Sequence, residues 1–227
     1  MNWINKLLKL FFLLSFLSCS TKIWAQRNYA TNSVLASGNW YKLATTQEGI
    51  YKIDASFLSN LGISINNLTS TSIRLYCNGN FLPTEKNSEP RIDDLQELAI
   101  EVVDGGDGFF NSNDYFLFYA PPVDVWQKDS LNKRFVHEKN LYSDSIFYFL
   151  TIGGNGKRVA TKNTTLPATV NVITFNERYF YETDKINFLN SGKEWLGEEF
   201  SSLPGNSNIK NFTVNWNGLD VNYPLYF

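Results

Sequence analysis

The chain has 227 residues, of which 43% are hydrophobic, 16% aromatic and 19% charged, and its formal charge is −2. A chain of this length can bury a core without the disulfides or metals that small domains need. The weakly acidic balance argues against nucleic acid or an anionic membrane as a partner.

The first 25 residues have the order of a secretory signal peptide. Two lysines precede the apolar run Leu10–Leu17, which is too short to span a bilayer, and polar and small residues follow up to Ala25. We expect cleavage after Ala25, although Ile23 stands where a small residue is typical. Lipoprotein processing at Cys19 is the alternative, although Phe16 is a poor match to that motif.

Loss of this leader changes the charge and the cysteine count. It removes three lysines and no acid, which moves the formal charge from −2 to −5, and it leaves Cys77 as the only cysteine. No internal disulfide is then possible. We expect an exported protein at the cell surface or outer membrane, or in the periplasm if retained, without a transmembrane segment in the mature chain.

Short alternating segments dominate the rest of the sequence and predict β-strands. They are rich in Tyr, Phe, Val and Ile and are bounded by Gly, Asn, Asp or Pro. Many close strands and few helices favour a mainly β fold, an antiparallel β-sandwich with one or two short helices. The predicted strands lie in residues 39–45, 49–54, 72–79, 97–104, 115–120, 146–152, 178–183 and 211–216.

One helix is predicted in "DASFLSNLGI", with a second short helix near 184–190. Asp54 is placed to cap the first turn and Gly62 to end the helix, with Phe57, Leu58 and Leu61 on one face.

The loop-like stretch 155–171 predicts a boundary between two regions. We expect an N-terminal β domain at 26–154 and the start of a second β-rich segment at 155–227. The sequence stops inside an apolar run at Phe227. An unpaired apolar edge is unusual in a finished β domain, so this segment is expected to be truncated.

The acidic, glycine-rich stretch Asp104–Asp114 raises the question of a calcium site. Its acids stand at 104, 107 and 114, which breaks the alternation of an EF-type loop. Asp and Asn bond their own backbone in turns, and the three glycines suit positive φ. We interpret the stretch as a turn between two strands, with a bound cation as the alternative.

The sequence offers little for catalysis. Cys77 and His137 are a conceivable nucleophile and base, but Cys77 alternates with Ile73 and Leu75 and reads as a small buried hydrophobe. His137 is expected at the surface or in a loop. We find no phosphate loop, nucleophile elbow or metal spacing, and we assign no catalytic, cofactor-binding or metal-binding residue and no cofactor.

Two further features have a structural and a functional interpretation. The neighbouring acids Asp93–Asp94 and Glu198–Glu199 are expected on a solvated face, because adjacent side chains point apart and make no acid–base pair. In "SGKEWLGEEF" (191–200), Trp195 and Phe200 are expected to fill a core or interface, with Glu194 and the later glutamates outside. A carbohydrate or peptide platform on Trp195 is the alternative.

Five stretches, taken together and in order, resemble the N-terminal region of the gingipain-like cell-surface sortases of the type IX secretion system of Bacteroidetes. The resemblance covers about residues 37–205, and the five in the same order are more specific than any one alone. The stretches are "SGNWYKLATTQEGIYKIDASFLSNLGI" (37–63), "IRLYCNGNFLP" (73–83), "DDLQELAIEVVDGGDGFFNSNDYFLFYA" (93–120), "NLYSDSIFYFLTIG" (140–153) and "SGKEWLGEEF" (191–200).

The resemblance implies a cysteine peptidase that removes a C-terminal sorting domain from cargo and joins the cargo to anionic lipopolysaccharide. In that family the catalytic Cys and His belong to a downstream caspase-like domain, so neither Cys77 nor His137 inherits that role. The resemblance thus implies a non-catalytic accessory region, with the downstream catalytic domain and outer-membrane secretion proteins as partners. The alternative is a stand-alone secreted sandwich that binds carbohydrate or protein.

Overall fold

The computed structural model describes residues 3–4, 29–80, 82–163, 169–190 and 194–223. Apart from Trp3 and Ile4, the predicted leader with its cleavage site and Cys19 lies outside these residues. Within them the fold is mainly antiparallel β with one short α-helix, as predicted. The strands are Tyr41–Thr45 (β1), Gly49–Asp54 (β2), Ile73–Tyr76 (β3), Glu97–Leu98 (β4), Glu101–Val103 (β5), Tyr115–Ala120 (β6), Val125–Asp129 (β7), Arg134–Glu138 (β8) and Ile146–Ile152 (β9), and the helix is Ala55–Asn60 (α1).

Two sheets form a sandwich. The larger sheet has the order β1-β9-β3-β4 and the smaller one the order β2-β6-β5. The chain passes from the larger to the smaller sheet twice, between β1 and β2 and between β4 and β5, while the consecutive strands β3 and β4, and likewise β5 and β6, lie in the same sheet. All pairs within both sheets are antiparallel.

Period-two alternation in the strands creates the core between the sheets. In β9, Ile146, Tyr148 and Leu150 are buried while Phe147 faces outward. Phe118 of β6 meets Tyr148 across the layers, with ring centroids 4.8 Å apart. Among the described residues, eight large side chains are fully buried, and six of them lie in predicted strands. The eight are Tyr148, Phe110, Phe116, Leu58, Ile73, Leu75, Ile100 and Leu150.

The helix begins where the sequence predicts. Asp54 Oδ1 accepts a hydrogen bond from the Phe57 amide at 2.9 Å, which satisfies one of the free N–H groups of the first turn. Leu58 is fully buried, whereas Phe57 is 38% exposed. The buried face of the helix therefore includes Leu58, as predicted, but not Phe57. Gly62 follows with a φ of 85°, the left-handed conformation that ends many helices.

The structure contains a β-hairpin that was not predicted from the sequence. Strands β7 and β8 pair with each other outside both sheets, with Trp126 opposite His137. Its turn contains Lys133, whose positive φ of 53° is uncommon for a residue with a side chain.

The predictions for the later chain are wrong in part. Residues 178–183 and 211–216 form no strand, and residues 184–190 form no helix. The regular pairing found in the described part of this region is a single bridge between Ile186 and Leu196. The proposed boundary at 155 stays a prediction. Residues 156–159 form backbone hydrogen bonds with Thr71 and Ile100 of the sandwich. Within the described ranges, no helix is long and apolar enough to cross a bilayer.

Candidate functional site

Cys77 lies in the core, as its alternation with Ile73 and Leu75 predicts. Its residue is 2% exposed, and its Sγ accepts a hydrogen bond from the Gly79 amide at 2.9 Å. Burial raises the pKa of the thiol, which keeps it in the unreactive protonated form at neutral pH. Cys77 therefore has the environment of a packing residue rather than of a nucleophile.

His137 is not the surface or loop residue that we predicted. It belongs to β8, its side chain is only 7% exposed, and its Nε2 lies 3.4 Å from Asp124 Oδ2. Phe180 stacks on its ring at 3.5 Å between centroids, and Trp126 meets the ring edge-on at 4.7 Å. The histidine thus joins the hairpin to the later chain, in surroundings unlike those of Cys77.

Arg178 extends this aromatic cluster. Its guanidinium lies 5.3 Å from the ring centre of Trp126 and 5.1 Å from that of Phe135. Contacts of this kind are favourable because the ring face carries negative charge. Together with Phe180, Arg178 holds the segment after residue 177 against the hairpin.

The stretch 104–114 is a turn between β5 and β6, and its acids bond to its own backbone. Asp107 Oδ1 accepts from the Phe109 amide at 2.9 Å, and Asp114 Oδ2 accepts from the Asn111 amide at 2.6 Å. The Ser70 hydroxyl and the Gly106 amide lower the pKa of Asp104. Phe110, 1% exposed, anchors the turn in the core. All three acids of the stretch thus serve the fold of the loop.

In the described residues, no group of three or more His, Cys, Asp or Glu side chains is arranged to hold a metal ion. The alternative of a bound cation at 104–114 is therefore not supported by a ligand cluster in the described part of the chain.

The neighbouring acids do more than face solvent. Asp94 accepts hydrogen bonds from the Ser33 hydroxyl at 2.8 Å and the Val34 amide at 2.6 Å, which fastens the N-terminal stretch to the loop before β4. Glu198 accepts from Lys185 Nζ at 2.6 Å and from the Tyr181 hydroxyl at 3.0 Å. Both carboxylates are thus structural ties at a partly solvated surface, and their neighbours Asp93 and Glu199 are exposed as expected.

Trp195 and Phe200 do not fill a core, since they are 43% and 58% exposed. Trp195 precedes Leu196, whose backbone N–H and C=O both bond to Ile186. Gly197 lets the two segments approach, because a Cβ there would lie 2.7 Å from the Thr183 carbonyl oxygen. This pairing places Trp195 close to Asp184.

A cavity of about 190 Å³ lies between residues 139–144 and the side chains of Asp184 and Trp195. Lys139 and Asp184, which both line the cavity, form an ion pair, and the hydrogen bond from Lys139 to Asp184 raises the pKa of the lysine. Tyr142, 69% exposed, also lines the cavity. The arrangement has two exposed aromatic rings, a paired lysine and carboxylates, which suits binding rather than covalent chemistry.

Only part of this site could be predicted from the sequence. Trp195 was predicted but its neighbours were not, because the cavity joins residues 139–144 to Asp184 and Trp195, which lie at least 40 positions later in the chain. The loop at 140–145 carried a local signal that we did not use: Asn140 Oδ1 accepts from the Tyr142 and Ser143 amides at 3.0 and 3.2 Å. Asn bonded to the backbone two and three residues later is typical of a fixed turn.

The fold and site together define an antiparallel β-sandwich with a candidate binding cavity beside it. No protein-family model and no curated protein match the sequence. A solved structure, the crystal structure of dimeric latent PorU from Porphyromonas gingivalis, is similar, with a TM-score of 0.44 and 21% identity over 60% of this chain. The chain spans 11% of the length of that structure. At these values the match does not establish membership of the PorU family, an activity or a partner.

Proposed function

We propose that this chain is a non-catalytic N-terminal accessory region of a type IX secretion system cell-surface sortase of the PorU type. It is exported by its leader to the cell surface or outer membrane. There it steadies the catalytic domain or docks that domain on other secretion proteins. The domain division at about residue 155 is part of the same proposal.

The position of the family-like stretches supports this role. Four of the five stretches supply α1, seven of the nine strands and the anchored turn at 104–114. The exceptions, β7 and β8, form the hairpin that lies outside the two sheets. The resemblance therefore follows the packed core rather than scattered surface loops, and this coincidence is the observation that carries the proposal.

The chemistry of the described residues supports a docking role rather than turnover. Cys77 is buried with a raised pKa, and His137 is enclosed by aromatic rings and Asp124. The later chain also leaves large apolar side chains in contact with solvent, among them Ile173 at 90% and Phe175 at 80% exposure. Exposed apolar surface of this kind is typical of a protein-binding region.

The test combines an activity assay with a binding assay. The purified chain is incubated with a secreted protein that carries a C-terminal sorting domain, and we expect no cleavage. It is then titrated, in a calorimeter, with the separately produced catalytic domain of a type IX sortase, and we expect association.

Matched variants locate the contact. Ile173→Asp with Phe175→Asp is expected to abolish association. Thr174→Asp, which adds charge to the same exposed stretch without removing apolar surface, is expected to preserve it. Cleavage by the chain alone that is lost on Cys77→Ala or His137→Ala contradicts the proposal, and so does an absence of association with the catalytic domain.

A second candidate function is a secreted binding module, which the exposed Trp195 and its cavity favour. Retention of the chain on a polysaccharide, without association with the catalytic domain, distinguishes this function from the first.

A further inference from the structure

We propose that the cavity between residues 139–144, Asp184 and Trp195 binds one neutral sugar residue. This inference does not depend on the accessory role, because it rests on the shape, charge and rigidity of the cavity itself.

The size of the cavity selects a small ligand. Its volume of about 190 Å³ lies below the roughly 300–1,000 Å³ of sites that enclose drug-sized molecules. A single pyranose ring therefore suits the space, whereas a longer oligosaccharide exceeds it.

The walls of the cavity are held in place before any ligand arrives. Asp124 accepts a hydrogen bond from the Asn140 amide at 2.9 Å, and the Asn140 side chain in turn accepts from the Tyr142 and Ser143 amides. On the opposite side, the bridge between Ile186 and Leu196 fixes the backbone beside Trp195. Walls that are ordered in advance lower the entropic cost of binding.

The two exposed rings provide the apolar part of the recognition. The C–H bonds of a pyranose carry partial positive charge and pack well against the negative face of an aromatic ring. Trp195 offers such a surface at 43% exposure, and Tyr142 adds a second ring at 69% exposure. Neither ring is needed by the core of the sandwich, whose buried cluster excludes both.

The charges of the cavity select a neutral ligand. Lys139 is neutralised by Asp184, while Asp144 adds a further exposed carboxylate to the lining. The local charge is therefore negative, and a sugar acid would be repelled. Carboxylates accept hydrogen bonds from hydroxyl groups, and those bonds are stronger than bonds between neutral groups.

The experiment is a titration followed by NMR chemical-shift changes in the full chain. The probes are the methyl glycosides of glucose, galactose, mannose and N-acetylglucosamine, with glucuronic acid as the anionic comparison. For at least one neutral probe we expect saturable shifts around Trp195, with a dissociation constant on the order of 1 mM. Glucuronic acid is expected to bind at least about tenfold more weakly.

Variants separate the site from the fold. Trp195→Ala is expected to weaken binding by roughly tenfold or more, and Trp195→Phe, which keeps a ring, by less. Asp144→Asn tests the carboxylate and is expected to reduce the preference for neutral over anionic sugars. Phe200→Ala removes an exposed ring of the same segment away from the cavity and is expected to leave binding unchanged.

Three results would each overturn the proposal. They are the absence of saturable shifts with all four neutral probes, binding that survives Trp195→Ala, and glucuronic acid that binds as well as the neutral probes. If the spectrum shows that Trp195→Ala does not fold, the comparison of Trp195→Phe and Asp144→Asn with Phe200→Ala decides the question.

Discussion

Replacement of Glu97 by Gln should destabilise the sandwich because Glu97 joins three elements through one carboxylate. Its side chain is 11% exposed. It accepts hydrogen bonds from Arg74 Nη2 at 2.8 Å and Nε at 3.3 Å, from the Tyr76 hydroxyl at 3.3 Å and from the Lys157 amide at 2.7 Å. Gln keeps one acceptor oxygen and turns an NH₂ group towards donors. Hydrogen bonds to charged groups contribute roughly 1.5–3 kcal/mol each, so we expect a loss of about 2 kcal/mol.

That loss should appear as a fall of about 4–8 °C in Tm at pH 7 for a chain of this size. The assay is thermal unfolding followed by circular dichroism, with tryptophan fluorescence as a second probe because Trp40 packs edge-on against Tyr76. Glu101→Gln is the matched control, since Glu101 is exposed on the strand that continues the same stretch of chain. A Tm for Glu97→Gln equal to that of the control would refute the reasoning.

The pH dependence of this difference gives a second check. Burial raises the pKa of Glu97, but the hydrogen bonds from Arg74 and the Lys157 amide outweigh it, and the net pKa lies below the ordinary value of 4.5. A carboxyl with a lowered folded-state pKa stabilises the fold above its ordinary pKa and loses this contribution as the pH falls through the folded-state value. The gap between wild type and Glu97→Gln should therefore be full at pH 7 and narrow below pH 4.5. A gap that stays constant from pH 7 to the acid limit would contradict the assignment.

Three further predictions follow from burial and backbone conformation. Leu150→Ala should cost about 2–5 kcal/mol in urea unfolding because the residue is fully buried, whereas Phe147→Ala on the outer side of the same strand should cost about 1 kcal/mol or less. Gly106→Ala should cost about 1–2 kcal/mol because its φ is 85°, while Gly49→Ala, at negative φ in an open position, should change stability by about 0.5 kcal/mol or less; equal effects would show that φ is not the cause. In the chain that begins at residue 26, a thiol reagent should modify Cys77 slowly until urea unfolds the protein, and fast modification of the folded chain would contradict its burial.

The sandwich could be predicted because several of its strands have a local sequence pattern that is typical of a strand. In β2, β6 and β9 the residues alternate with period two between turn residues, and the predicted and observed bounds coincide. The cap at Asp54 was also visible, because a side-chain cap needs only the next three residues. Local chemistry decides these elements, so local patterns reveal them.

The hairpin was missed because its pattern lacks alternation. The β8 sequence "RFVHE" has Phe135 and Val136 side by side and both exposed, and β7 carries three polar residues in five. What orders these strands is their mutual pairing and the contact of His137 with Phe180, a residue far from the hairpin in sequence. The error over His137 has the same origin, since its burial depends on Phe180 rather than on its own neighbours.

The strands predicted at 178–183 and 211–216 are the opposite error. Alternation alone does not show whether a segment has a partner strand to pair with. A strand needs a partner strand to satisfy its backbone N–H and C=O groups. The strands of the larger and smaller sheets pair with one another and not with these residues. Residue 180 instead packs its ring on the hairpin, and Tyr181 meets Phe212 edge-on at 5.1 Å. The aromatic side chains of these two segments give them the sequence pattern of a strand. In the structure they form individual ring contacts and leave much of their surface exposed. Ile173, Phe175 and Trp195 are likewise exposed in the later chain. The two binding proposals and the failed strand predictions therefore both trace back to aromatic and apolar surface that this region does not bury.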